Sequence, residues 1–170
     1  MTEINYERAD LEACGVPRRF LDVLYGEMKD TEAIKVARKH AKDVARGACL
    51  VLSGPVGVGK TVAAVRLLRW LYQRRICGLF RGAAEVSREN ISKLADVPAL
   101  ILDDFGQERF SQDTEYLLEL RHARVMPTVI TTNLTLDAVK RAYGERLVDR
   151  FREWAIFYEL KGTSLRRKET

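Results

Sequence analysis

Three clusters of residues in this chain have the types and spacing to do chemistry, and each closes an apolar run. The first is Gly54-Pro55-Val56-Gly57-Val58-Gly59-Lys60-Thr61, with Val62 behind it. Two glycines flanking four residues and followed by Lys-Thr form the P-loop pattern, which has meaning when it follows a strand and opens a helix. Gly57 and Gly59 permit backbone angles that turn successive N–H groups toward one point. A helix N-terminus adds partial positive charge at that point, which suits phosphate. Lys60 would reach the β- and γ-phosphates of a nucleoside triphosphate, and the Thr61 hydroxyl would ligate Mg²⁺.

The second cluster is Leu100-Ile101-Leu102-Asp103-Asp104, an apolar strand ending in two carboxylates, with Asp103 lying 43 residues after Lys60. This is Walker B spacing and chemistry. Asp103 would hold Mg²⁺ through water, and Asp104 would act as general base or orienter for an attacking water. The third is Val129-Ile130-Thr131-Thr132-Asn133, another apolar strand with a polar end. Beside Walker B in a parallel sheet, Asn133 would sit near the γ-phosphate and hydrogen-bond the water. Neither of the first two motifs by itself separates ATPases from P-loop kinases. The second acid favours attack by water.

These clusters need elements to hold them at one edge. Apolar runs at Cys49–Leu52, Ile76–Phe80, Ala99–Leu102, Pro127–Thr131 and Ala155–Leu160 read as five short buried strands. Between them, Ala64, Leu67, Leu68 and Leu71 mark one face of a helix running to about Arg75, and residues 112–123 read as another, with Tyr116, Leu117 and Leu120 inward. Upstream, Pro17 suits the first turn of a short helix to Tyr25. A longer helix then carries Ala33, Val36, Ala37, His40, Ala41 and Val44 on one face, with His40 expected in the core. Strands alternating with helices imply an α/β fold, a five-stranded parallel sheet flanked by helices in three layers.

Bulk properties narrow the setting. The chain has 170 residues, 46% hydrophobic and 31% charged, which suits one well-buried domain. No apolar run approaches the roughly 20 residues that span a bilayer, and the N-terminus lacks a signal-peptide pattern. Cys14, Cys49 and Cys77 form no CxxC pair or disulfide framework, so a cytoplasmic protein with reduced thiols is expected. The net charge is +5, and residues 140–170 hold nine Lys/Arg against five Asp/Glu. Such a basic end is compatible with nucleic-acid phosphates and equally with arginines serving a nucleotide.

The succession GPVGVGKT, LILDDFG, TTNL, GERLVDRF and LKGTSLRRK resembles the AAA+ ATPases of the DnaC/DnaI helicase-loader and IstB transposition-helper group, over about residues 45–168. The double Asp and the absence of a C-terminal helical lid match that group. The resemblance implies residues 1–46 as a short helical segment packed on the core and 47–170 as an AAA+ ATPase core. It makes Asn133 the position called sensor 1. Arg150 in Arg146-Leu147-Val148-Asp149-Arg150-Phe151 becomes the arginine finger given to a neighbouring subunit, with Arg146 second. Arg166 becomes the sensor 2 arginine, and Val16 and Pro17 in Cys14-Gly15-Val16-Pro17-Arg18-Arg19-Phe20 become adenine contacts. Two departures from the group are a stretch of fewer than 50 residues before the P-loop and an interval of only 18 residues from Glu85 to Leu102.

The expected function is that of an ATP- and Mg²⁺-dependent ATPase assembling as a homo-oligomer. Loading of a replicative helicase comes first, and an IstB-like role beside a transposase is the alternative. Single-stranded DNA is a further expected partner, and a membrane is not. A nucleotide-switched binding module with little turnover is the reading from a different class.

Overall fold

The computed structural model describes residues 3–107 and 112–162, with side chains from residue 7 onward. Three helices come first: α1 (Glu3–Ala13), α2 (Arg18–Tyr25) and α3 (Glu32–Ala45). Strand β1 (Cys49–Ser53) leads through the glycine loop into α4 (Lys60–Tyr72). Then follow β2 (Gly78–Gly82), a single 3-10 turn at Ala83–Glu85, α5 (Ile91–Asp96), β3 (Ala99–Phe105) and α6 (Gln112–Ala123). The chain continues through β4 (Thr128–Thr132), α7 (Leu136–Tyr143), α8 (Glu145–Trp154) and β5 (Ala155–Glu159).

The five strands form one parallel sheet in the order β2-β3-β4-β1-β5. Alternation along each strand splits the core into two layers, because successive side chains point to opposite faces. Leu50, Leu52, Ala99, Ile101 and Val129 face a core shared with α2, α3 and α4, and Leu11 of α1 joins it. Cys49, Val51, Leu100, Leu102 and Ile130 face the other core, shared with α5, α6, α7 and α8. The central strands β1 and β4 are buried along their whole length, whereas β5 at the edge is only half-buried. The expected three-layer α/β fold is the observed one. Among the described residues, no helix follows β5 and none is long and apolar enough to cross a membrane.

The N-terminal helices are tied on by polar contacts as well as packing. The Glu7 carboxylate accepts hydrogen bonds from the Tyr25 hydroxyl (2.6 Å), Gln73 Nε2 (3.1 Å) and Arg69 Nε, which joins α1 to α2 and to the end of α4. The link between α1 and α2 then passes along the free edge of β2, where Phe80 N donates to Cys14 O at 2.9 Å.

Several local expectations are corrected. β2 begins at Gly78 rather than Ile76, which leaves Cys77 exposed before the strand. His40 is half-buried beside the Asp43 carboxylate (3.3 Å) instead of lying in the core. Tyr116 is 53% exposed, and the inner face of α6 is Thr114, Leu117, Leu118 and Arg121. The register of that helix is set by Arg121, a residue type that an apolar-periodicity reading discards.

Arg121 is fully buried, and its guanidinium is surrounded by oxygen. It donates to Leu94 O (2.7 Å), Val97 O (2.9 Å), Pro127 O (2.6 Å) and Thr128 Oγ1 (2.9 Å). The carbonyls of Leu94 and Val97 close the C-terminal end of α5, where helix carbonyls lack intrahelical partners and the dipole is negative. Desolvation lowers the Arg121 pKa to about 10, and the cation persists at neutral pH because this carbonyl ring replaces its water. One side chain thus joins α5, α6 and the start of β4.

Candidate active site

The three motifs meet where the carboxyl ends of β1, β3 and β4 lie side by side, the edge at which open α/β sheets bind ligands. The glycine loop leaves β1 with Gly54 at φ +147°, and a Cβ there would lie 2.8 Å from Leu160 O. Gly59 caps α4 in the left-handed region at φ +89°. This cap supplies no side-chain acceptor, and the first turn of α4 holds no acidic residue. A first turn with no acid of its own leaves the positive end of the helix dipole suited to an external anion.

Lys60 points into the loop. Its buried Nζ donates to Gly54 O (2.6 Å), Pro55 O (2.7 Å) and Asn133 Oδ1 (2.9 Å), which brings the first and third clusters together. Thr61 Oγ1 donates to Asp103 Oδ1 at 2.8 Å, which joins the first cluster to the second. Ser53 Oγ donates to Leu134 O at 2.7 Å and ties the tip of β1 to that of β4. Val56 stands 54% exposed at the crest of the loop, while Val58 is buried beneath it.

Asp103 is 7% exposed. Desolvation pushes its pKa up, hydrogen bonds from Thr131 and Thr61 pull it down, and the net shift is upward. Asp104 adds to the rise and Arg19 opposes it. Asp104 itself is exposed and takes φ +55°, a left-handed conformation uncommon for a residue with a Cβ. Its position follows from a bulge: β3 pairs Leu102 with Ile130 and Phe105 with Thr132, so β3 carries one more residue than β4 across that interval. Asp103 is buried at the bulge and Asp104 beside it is exposed.

The donor set fits a nucleotide triphosphate with Mg²⁺. Mg²⁺ keeps several waters and takes one or two protein oxygens plus phosphates, so a hydroxyl and one carboxylate are a sufficient protein share. Thr61 and Asp103, already hydrogen-bonded to each other, would be that pair, and no cluster of three His, Cys, Asp or Glu occurs among the described residues.

The remaining predicted residues are placed elsewhere. Val16 is buried in the core shared with α4, and Pro17 caps α2. Arg150 and Arg146 lie on α8, which packs on the sheet face opposite α4. Arg150 Nη1 lies 3.3 Å from Glu153, and Arg146 Nε lies 2.8 Å from Glu119 on α6. Arg152 pairs with both Glu145 (3.1 Å) and Asp149 (2.8 Å). Arg166 lies outside the described residues.

Two contributions escaped the sequence reading. Thr131 and Thr132 take part in the site through their hydroxyls, although in sequence the TTN run draws notice only to Asn133. Arg19, on the first turn of α2, lies within electrostatic reach of Asp103 and stacks on Phe20 at 4.6 Å. Its signal was the Arg18-Arg19 pair.

No protein-family model matches the chain, and no curated protein sequence matches it significantly. Solved structures do. A crystal structure of DnaI is 24% identical, with a TM-score of 0.72 over 89% of this chain and 94% of that one. A DnaC helicase loader is 23% identical, with a TM-score of 0.69 over 85% of this chain and 100% of that one. The replication initiator DnaA bound to AMPPCP and single-stranded DNA is 17% identical, with a TM-score of 0.62 over 85% of this chain and 50% of that one. At such identities the likeness establishes architecture: the chain has the AAA+ P-loop fold that these replication proteins share.

Proposed function

We propose that this chain is a Mg²⁺-dependent ATP-binding and ATP-hydrolysing AAA+ protein that acts as a helicase-loader-like assembly factor in DNA replication. The observation that carries the reading is the joining of Lys60 to Asn133 and of Thr61 to Asp103 at one sheet edge, beside the glycine-capped N-terminus of α4. Backbone N–H groups from Gly54 to Thr61 would cradle the phosphates, with Val62 in the same turn. Lys60 would exchange the carbonyls of Gly54 and Pro55 and the Asn133 amide oxygen for phosphate oxygens. That exchange would free Asn133 to orient the attacking water. Mg²⁺, held through Thr61 and Asp103, would neutralise charge between the β- and γ-phosphates. Asp104, exposed at the bulge, would accept the water's proton or fix its orientation.

The rest of the site comes from outside this network. Arg150 of a neighbouring copy, with Arg146 second, would stabilise charge on the transferring phosphoryl group, so the active form is a homo-oligomer. Val16 and Pro17 would border the base, and Arg166 would serve as the sensor 2 arginine. The loader role rests on the fold shared with DnaI and the DnaC helicase loader, and single-stranded DNA as a partner rests on the DnaA complex.

The test is a loading assay with circular single-stranded DNA and the hexameric replicative helicase of the same organism. ATP together with this protein should increase the helicase retained on the circle, and Lys60→Ala should abolish the increase. Equal retention with and without the protein contradicts the loader reading and leaves the ATPase chemistry to be judged by phosphate release.

A further inference from the structure

The bulge that presents Asp104 replaces backbone ladder bonds with side-chain hydroxyls. Thr131 is fully buried on β4, and its Oγ1 makes two contacts at once. It donates to Asp103 Oδ1 at 2.6 Å and accepts from Asp104 N at 3.0 Å. A hydroxyl has one proton, so donation to the carboxylate leaves its lone pairs for the N–H. Both directions are fixed. Thr132 repeats the device one step on: its Oγ1 donates to Phe105 O at 2.6 Å and accepts from Leu134 N at 3.0 Å. Phe105 is anchored as well, because its ring stacks on Tyr143 at 4.7 Å and meets Phe151 edge-on at 6.3 Å.

Asp104 is therefore strung between two held residues, and its left-handed φ of +55° is imposed from both sides. Backbone strain of this kind persists only where the surroundings over-determine it, and it concentrates at functional sites. Asp103 Oδ1 receives two hydroxyl protons, from Thr61 and from Thr131, which leaves Oδ2 as the oxygen with spare capacity. The same hydroxyl thus sets the orientation of one carboxylate and the backbone of the next.

We propose that Thr131 is the positioning residue of the hydrolytic step: its hydroxyl holds the peptide between Asp103 and Asp104 so that Asp104 faces the attacking water. This inference rests on the ATPase reading above. Thr131 is fully buried, and it acts through Asp104. The hydroxyl is the operative group, so serine retains the role and the isosteric valine does not.

The experiment compares wild type, Thr131→Val, Thr131→Ser, Asp104→Asn and the Thr131→Val/Asp104→Asn double variant. Phosphate release, fluorescent-ATP binding without Mg²⁺, and hydrogen exchange at the Asp104 amide are measured on each. Thr131→Val is expected to lower kcat about 30-fold or more while nucleotide affinity stays within about twofold, since binding measured without Mg²⁺ draws on neither Asp103 nor Asp104. Its Asp104 amide should exchange faster than that of wild type, with Thr131→Ser close to wild type in both respects. The double variant should be no slower than Asp104→Asn alone, because residues acting as a unit are not additive. Wild-type kcat in Thr131→Val overturns the inference. So do equal losses in Thr131→Val and Thr131→Ser, multiplying losses in the double variant, or an unprotected Asp104 amide in wild type. Absence of turnover in wild type at every condition overturns the ATPase reading and this inference together.

Discussion

β3 and β4 run side by side, and their two ends handle buried charge in opposite ways. At the start of β4, Arg121 is enclosed by carbonyls from α5 and from Pro127, with Thr128 Oγ1 completing the ring. Each of the three guanidinium nitrogens donates to an oxygen of the same chain, so that end is closed by the fold itself. At the carboxyl end, Asp103 is nearly as deep, yet its two hydroxyl donors both go to Oδ1. Lys60 there is satisfied by acceptors that a phosphate could displace. Both ends are polar and buried. The difference is spare hydrogen-bonding capacity, which separates a device that holds the fold from one that receives a ligand.

The arginines of α8 are mostly exposed and paired with acids on α8 itself and on α6. Such surface pairs contribute little to stability, so Arg150 can leave Glu153 at small cost. If the carboxyl end needs a cation that its own chain does not deliver, Arg150→Ala should lower turnover by about 100-fold or more. Mixing Arg150→Ala with Lys60→Ala subunits should then restore part of the activity, because each supplies the half that the other lacks. Inactivity at all mixing ratios would place the finger elsewhere.

At the closed end the expected loss is of stability rather than chemistry. Arg121→Met strands several buried carbonyls and should cost about 3 kcal/mol, enough to lower Tm by about 6–12 °C in a domain of this size. Activity per folded molecule should be unchanged. Arg121→Lys should recover only part, since an ammonium cannot copy the planar fork. A large fall in specific activity without a change in Tm would erase the distinction between the two ends.

The smallest effect concerns the tether of α1. Burial pushes the Glu7 carboxyl up, but hydrogen bonds from Tyr25, Gln73 and Arg69 outweigh it and hold the pKa below the ordinary 4.5. A depressed carboxyl contributes stability above its unfolded pKa and loses it as pH falls through the lower folded value. Glu7→Gln should therefore be less stable than wild type by about 1 kcal/mol at neutral pH, with the gap closing in acid below the ordinary glutamate range. A gap that is constant with pH in thermal melts would show that the carboxylate charge is not what holds α1.

The sequence made the carboxyl end legible because its chemistry is local. Gly54 to Thr61 is one contiguous run, and Asp103 and Asn133 each close an apolar strand, so spacing and residue type were enough. The parallel sheet followed from strand–helix alternation. What escaped had its cause far away in the chain. Arg121 reads as a surface residue until the carbonyls of Leu94 and Pro127 are brought to it, and that error turned α6 so that Tyr116 faced inward. The bulge at Asp104 depends on Thr131 and Thr132 in another strand; α1 carries too little apolar periodicity to be seen alone, and α5 and α7 are only six and eight residues long. For Arg150 the motif pointed to a surface helix, and its proposed role requires a second copy beside it.

The account stands on the carboxyl end being a hydrolytic site, and phosphate release by wild type and Asp104→Asn, with Mg²⁺ and with or without single-stranded DNA, tests that most directly. The prediction is Mg²⁺-dependent release by wild type and a fall of about 100-fold or more in Asp104→Asn, with nucleotide binding retained in both. Release no greater in wild type than in Asp104→Asn under every condition would contradict it, and would leave a nucleotide-binding fold whose second carboxylate activates no water.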